Sequence, residues 1–203
     1  MKIRDKVLIV EDDPYSELYF SGEKQLPIKH YDDTDGVIYL GTFSKTFCPG
    51  MRVAWICADA ETIRLCSLVK ANTDLHTGTW QQLEVATVIS SIDWPAHLAE
   101  IRAIYKRKRD LMMNCIKQEF PKELAYTYPE GGFFTWITLP EAVDERDVFR
   151  AGLQKQVAFV PGNAFYANGG PHNHIRLSFS TSSDEEILEG IKRLGAVLRE
   201  MCR

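Results

Sequence analysis

The sequence lacks any long apolar run. No stretch approaches the ~20 residues of a membrane-spanning helix, so no membrane partner is expected. Cysteine is scarce and dispersed: Cys48, Cys57, Cys66, Cys115 and Cys202 show none of the paired short spacings of zinc sites or disulfide frameworks. No metal is expected, and a reducing cytoplasm is the expected setting. Positive charge is not in excess either. With 24 basic residues against 28 acidic ones the net charge is -4, which leaves no electrostatic footprint for nucleic acid. Lys106-Arg107-Lys108-Arg109 is the one dense basic run, and within a helical pattern it reads as a solvated face. Internal repeats and low-complexity tracts are lacking, and residues 1–6 are too short and too charged for a signal peptide. What remains is ordinary folding material. The 203 residues are 45% hydrophobic and 26% charged, enough for one sizeable core or two small ones.

Residues 37–53, VIYLGTFSKTFCPGMRV, concentrate the chemistry. Val37-Ile38-Tyr39-Leu40 is an apolar, β-rich run that breaks at Gly41 into a hydroxyl-bearing turn, then Lys45, then Pro49-Gly50, then Arg52. The pattern predicts a strand that delivers a lysine to a loop. Thr42 and Ser44 supply hydroxyl donors, and Arg52 supplies the planar fork that phosphate oxygens prefer. A lysine beside a phosphate-binding cluster is what a Schiff-base enzyme using pyridoxal 5'-phosphate requires. The plain alternative is a surface lysine after a strand, and the fixed offsets of Thr42, Ser44 and Arg52 count against it.

Upstream, Val7-Leu8-Ile9-Val10 has the pattern of a strand buried on both faces of a parallel sheet. Glu11-Asp12-Asp13-Pro14-Tyr15 follows, and proline forces the chain out of the strand. The carboxylates and Tyr15 are thereby placed at a strand's carboxyl end, where ligands bind in α/β sheets. Read alone, Asp12 is a turn or cap acid; its spacing to Tyr15 and the Lys45 stretch favour a site. Downstream, Arg176 lies in the alternating run IRLSFS among apolar neighbours. A guanidinium there must be paired or reach a cavity, because burying it unpaired is costly.

The segments EDDPY, GTFSKTFCPGMR and HIRLSFS together resemble the class I/II aminotransferases, the fold-type I enzymes of pyridoxal 5'-phosphate. The likeness is nearest to the branch of 2-aminoadipate, aromatic and branched-chain amino acid transaminases. It runs along nearly the whole chain, starting about halfway through the family's pattern. The resemblance implies an α/β fold: the C-terminal part of the large cofactor-binding domain over residues 1–95, a mostly parallel sheet with helices. A smaller α+β domain over residues 96–203 would be entered through a long connecting helix. It further implies that Lys45 carries the cofactor and moves the proton between the substrate's α-carbon and the cofactor. Asp12 would pair with the protonated pyridine nitrogen, Tyr15 would hydrogen-bond the phenolic oxygen, and Arg176 would grip the substrate's α-carboxylate. Thr42, Ser44 and Arg52 complete the cofactor-binding set. The implied substrates are an amino acid and a 2-oxo acid, and the family's usual assembly is a homodimer.

The remaining pattern is helix and strand. Residues 60–71 predict a helix with a broad apolar face of Ile63, Leu65, Cys66, Leu68 and Val69, and residues 80–92 predict another. Asp93 as N-cap with Pro95 in the first turn opens a long amphipathic helix to about residue 120. Beyond it come a hairpin-like element over 126–140 around Gly131-Gly132, a helix over 145–156, and a short buried strand over 157–160. A strand over 175–180 and a last helix capped at Ser183 complete the chain. His76, His97, His172 and His174 have no partner at useful spacing and read as structural.

Several family elements have no counterpart here: the small-residue phosphate loop, the ring stacked on the pyridine, an asparagine at its phenolic oxygen, and a tyrosine reaching the neighbouring subunit. A missing N-terminal half, supplied by another chain or a longer product, is therefore an expected partner. Three rival readings use the same residues: a pyridoxal phosphate-dependent lyase, the aminotransferase-like ligand-sensing domain of a transcription regulator, and a catalytically silent remnant. The amino acid selected is not legible.

Overall fold

A computed structural model describes residues 7–202. The chain divides into two compact units, Met1–Arg102 and Ala103–Arg203, at a point inside the long helix, where the sequence pointed to 95/96.

The first unit is built on a three-stranded sheet in the order β1-β2-β3, with β1 at Ile9–Asp13, β2 at Val37–Thr42 and β3 at Ala54–Cys57. β1 and β2 run parallel, with Ile9 opposite Val37 and Asp13 opposite Gly41, while β2 and β3 run antiparallel. β1 starts later than its apolar run and absorbs Glu11, Asp12 and Asp13, because the ladder with β2 carries through the acids. The burial on both faces expected of the run 7–10 is not met either, with Leu8 54% and Val10 59% exposed; all four residues of β3 are exposed as well.

Three helices follow: α1 at Ala60–Thr73, α2 at Thr79–Ser91 and α3 at Trp94–Glu119. Asp59 caps α1 by accepting from the backbone N–H groups of Glu61 and Thr62, both at 3.0 Å. No residue of α1 is buried, so its anticipated apolar face stands uncovered, with Val69 66% exposed. α2 buries Val85 alone. Asp93 accepts from Ala96 N–H at 3.1 Å, which starts α3 where the Asp-Trp-Pro pattern placed it.

In the second unit a four-stranded antiparallel sheet runs in the order β4-β5-β7-β6. Its strands are β4 at Ala125–Tyr126, β5 at Phe134–Thr138, β6 at Val160–Pro161 and β7 at His174–Ser178. Alternation sends Thr135, Ile137, Ile175 and Leu177 to one buried face. α4 at Glu145–Gln154 and α5 at Asp184–Met201 complete the unit, and α5 opens on a capping box between Ser183 and Glu186. α5 buries Ile187, Ile191, Leu194 and Leu198, the stripe anticipated from its spacing. The strand expected over 157–160 shrinks to Val160–Pro161 because Gln156 adopts φ 59° and Val157 N–H bonds back to Gly152 at 2.9 Å, closing the end of α4.

The basic run is a solvated face only in part: Lys106 and Arg107 are exposed, while Lys108 is part-buried and Arg109 buried. Arg109 is 4% exposed; it donates to the Pro129 carbonyl and to Asp110. Lys108 donates to the carbonyls of Ser180 and Ser182, and Arg107 pairs with Asp184. Lys108 and Arg107 thus fasten α3 to the start of α5, and Arg109 fastens it to the segment before β5.

Candidate active site

The loop bearing Lys45 is shaped by what flanks it. Gly41 sits opposite Trp55 in the β2–β3 ladder, and a Cβ at this position would fall 2.2 Å from the indole ring. Only glycine leaves Trp55 room across the strand. Trp55 packs on Phe43 at 4.8 Å, Phe43 on Trp94 at 6.3 Å, and Trp94 on His97 at 5.0 Å. His97 Nε2 lies 2.8 Å from the Thr46 carbonyl, and since a carbonyl only accepts, Nε2 carries the proton. His97 thus fixes the residue next to Lys45. Its signal in the sequence is nil, because the partner is a backbone atom 51 residues away.

The turn itself closes through Phe47 N–H and Cys48 N–H, which both donate to the Phe43 carbonyl, at 2.9 and 3.2 Å. Thr42 Oγ1 accepts from Ser44 N–H at 3.1 Å and lies 2.9 Å from Ser44 Oγ. The two predicted hydroxyls are therefore adjacent at the end of β2. Arg52 has φ 55° and ψ 37°, a left-handed conformation that costs a side-chain-bearing residue roughly 1–2 kcal/mol. Such strain persists where surrounding structure enforces it; here the Arg52 guanidinium also donates to the Pro49 carbonyl at 3.1 Å.

Three consecutive acids end β1, and the structure separates their roles. Glu11 accepts from Ile28 N–H at 2.7 Å and Lys29 N–H at 3.0 Å. Asp13 accepts from the Tyr39 hydroxyl and from Ser16 N–H, both at 2.9 Å. Burial and the Asp13 carboxylate together push the Tyr39 hydroxyl up to about 12. Asp12, on the opposite face of the strand, is exposed, and its carboxylate has no hydrogen-bond or ion-pair partner among the described residues. Composition cannot tell these acids apart; strand alternation can. Past the turn, Tyr15 presents its ring to Lys45, whose Nζ lies 5.9 Å from the ring centroid. Lys45 is part-buried and its amine makes no hydrogen bond or ion pair with the described residues.

Arg176 belongs to the second unit, in the middle of β7 opposite Trp136 and Val160. Its guanidinium carbon lies 3.9 Å from the Phe134 ring centroid and 4.3 Å from that of Phe165. Its Nε is buried and has no hydrogen-bond partner among the described residues. An unspent buried donor of this kind costs about 1–3 kcal/mol until a partner arrives. Nearby, Glu145 is wholly buried and accepts from Asn163 N–H and His174 N–H, each at 2.9 Å, bracing the segment that precedes β7. As the first residue of a helix it carried no sign of that role in the sequence.

Comparison with known proteins agrees along nearly the whole chain. The family model described as aminotransferase class I and II matches residues 1–194. The chain is 42% identical to aromatic-amino-acid aminotransferase 1 of Thermococcus litoralis, over 95% of this chain and 46% of that protein. Among solved structures, it superposes on an α-aminoadipate aminotransferase from Thermus thermophilus, complexed with N-(5'-phosphopyridoxyl)-L-leucine, with a TM-score of 0.91. Identity there is 39%, with 96% of this chain and 50% of that one covered. A kynurenine aminotransferase from Pyrococcus horikoshii gives a TM-score of 0.92 at 40% identity, covering 97% of this chain and 48% of that one. The chain spans about half the length of the relatives it matches. With the family model spanning residues 1–194 and the fold shared with these structures, the chain belongs to the class I and II aminotransferase family.

Proposed function

We propose that this chain is the lysine-bearing half of a pyridoxal 5'-phosphate-dependent aminotransferase that moves an amino group from an amino acid to a 2-oxo acid. The observation that carries the reading is the pair Lys45 and Asp12: one uncommitted amine beside the Tyr15 ring, and the one uncommitted acid of three at the end of the neighbouring strand. These residues fit the cofactor. Lys45 would attach it through the amine and then hold or move the proton at the substrate's α-carbon. Asp12 would keep the pyridine nitrogen protonated, and Tyr15 would donate to the phenolic oxygen. Thr42, Ser44 and Arg52 would take the phosphate, and Arg176 the α-carboxylate of the substrate. When bound, the cofactor supplies the electron sink for breaking a bond at the α-carbon.

The relatives' names favour aromatic or 2-aminoadipate-type amino acids as the substrate class. The polypeptide that makes up the other half of those relatives is the partner this reading requires, in a homodimeric assembly. Five unpaired cysteines suit a cytoplasmic setting. The test is to add pyridoxal 5'-phosphate to the purified chain, reduce with borohydride and map the labelled peptides, with Lys45→Ala as control. Label on Lys45 alone, lost in the variant, is the expected outcome. Label spread over many lysines overturns cofactor binding by this chain.

A further inference from the structure

We infer that Phe134 and Phe165 are positioning residues that hold the Arg176 guanidinium ready for a carboxylate, with its hydrogen-bonding edge unspent. The inference rests on the proposed reading of Arg176 as the carboxylate anchor and adds what makes that anchor work. Among the described residues three arginines lie over aromatic rings, and their donors are used differently. Arg102 lies 4.1 Å from the Tyr19 ring centroid, and its Nε–H and Nη2–H donate to Glu17. Arg109 lies 4.5 Å from the Tyr128 ring centroid, and its donors go to Asp110 and the Pro129 carbonyl. Both are structural cations with their forks already occupied. Arg176 sits over two rings, and its buried Nε has no acceptor among the described residues.

The geometry follows from the sheet. Ile175 and Leu177 point into the core, so Arg176 points to the other face, where Phe134 stands one diagonal step away, opposite Ser178. Phe165 closes in from the short 3-10 turn Gly162–Phe165 that follows β6, the strand on the other side of β7. Guanidinium N–H groups lie in the plane of the group, whereas rings attract it through its face. Two rings therefore restrain the group and favour its charge without consuming a single donor. An arriving carboxylate finds the fork oriented instead of having to extract it from another hydrogen bond. Phe165 is 48% exposed, so it is not there to fill the core, and replacing it leaves the buried face of the sheet intact.

The test uses the full chain, 15N-labelled, and follows the Arg176 Nε–H signal by NMR during titration with 3-phenylpropionate, which has no amino group. The matching neutral amide, 3-phenylpropanamide, serves as control. The acid, not the amide, should shift the signal in the wild type and in Phe165→Tyr. Phe165→Leu should bind about 3- to 10-fold more weakly, the size of a partly desolvated cation–π contact. Its Arg176 Nε–H should also exchange faster with water before any ligand is added, a change that loss of apolar filler elsewhere would not produce. If Arg176→Gln binds the acid as tightly as the wild type, or the wild type shows no shift, the anchor reading fails and the clamp with it. If Arg176→Gln loses binding while Phe165→Leu matches the wild type, the anchor stands and the clamp is overturned.

Discussion

The two units of this chain have been folded by different means. Of the 24 buried apolar residues among those described, Leu18, Val37, Val85 and Leu98 lie in the first unit and the other 20 in the second. Exposure is reversed: of 23 large apolar residues left exposed, 15 belong to the first unit, from Val7 to Ile92. In the second unit Met112 of α3 and Ile187, Ile191 and Leu194 of α5 gather beside Leu177 on the buried face of the sheet. The first holds its shape with polar devices. Asp32 gathers Thr34 N–H, Gly36 N–H and Val37 N–H together with Lys29 Nζ, and that ammonium, with the backbone donors, holds its carboxyl well below the usual range. Local hydrogen bonding can set a strand's entry and the turn at Lys45, yet it leaves apolar surface uncovered.

The strongest way to break this contrast is inside the second core. Ile137 and Ile175 face each other across β5 and β7 with no exposure. Ile137→Ala should destabilise the second unit by about 2–5 kcal/mol, the range for deleting a large aliphatic side chain from a packed core. Urea unfolding followed by fluorescence measures it. An effect under about 1 kcal/mol would mean that this core is as loosely filled as the first unit's surface.

A smaller effect is due at the cap of α5. Ser183 Oγ accepts from Glu186 N–H at 3.2 Å, while Glu186 reaches back to Ser183 N–H at 2.7 Å. Ser183→Ala should cost about 1 kcal/mol in the same unfolding assay, with Ser183→Asp restoring most of it.

The sequence was most readable where a residue's job is local. The capped starts of α3 and α5, the inward stripe of α5 and the lysine turn all follow from short-range spacing. So does the grouping of Thr42 with Ser44. What escaped is long-range or negative. Nothing in IRLCSLV says that Leu65, Leu68 and Val69 stay at least half exposed, because amphipathic spacing records a face and not its cover. Arg109 looked solvated among its basic neighbours, and its burial depends on Pro129 and Tyr128 returning from the next hairpin. Likewise the division of work between Glu11, Asp12 and Asp13 is invisible until strand pairing decides which acids meet Ile28 and Tyr39.

That last assignment can be sharpened by pH. The Tyr39 hydroxyl is raised from its ordinary 10 to about 12, so the folded state prefers the protonated form. Its stabilising contribution is complete below pH 10 and is lost as pH rises from there through about 12. The site is only part-buried, which keeps the effect modest. In an alkaline titration read at the phenolate absorbance, Tyr39 and the part-buried Tyr105 should both ionise late, and Tyr39→Phe should shrink that late step by one phenolate. If the step survives undiminished, the Asp13–Tyr39 bond does not hold in solution.

The smallest expected effect tests the first unit directly. Leu68 is 52% exposed on α1, a helix without a buried residue. Leu68→Gln keeps a good helix former at the position and removes only apolar surface that is already in water. It should shift the stability of the chain by no more than about 0.5 kcal/mol, against the several lost at Ile137. In a full-length relative, the equivalent exchange would cost more wherever additional chain seats on that helix, since the same side chain would then be buried. A large loss in this chain alone would show that Leu68 is covered in solution, by a second copy for instance. The concentration dependence of unfolding would reveal that copy, because association stabilises by mass action.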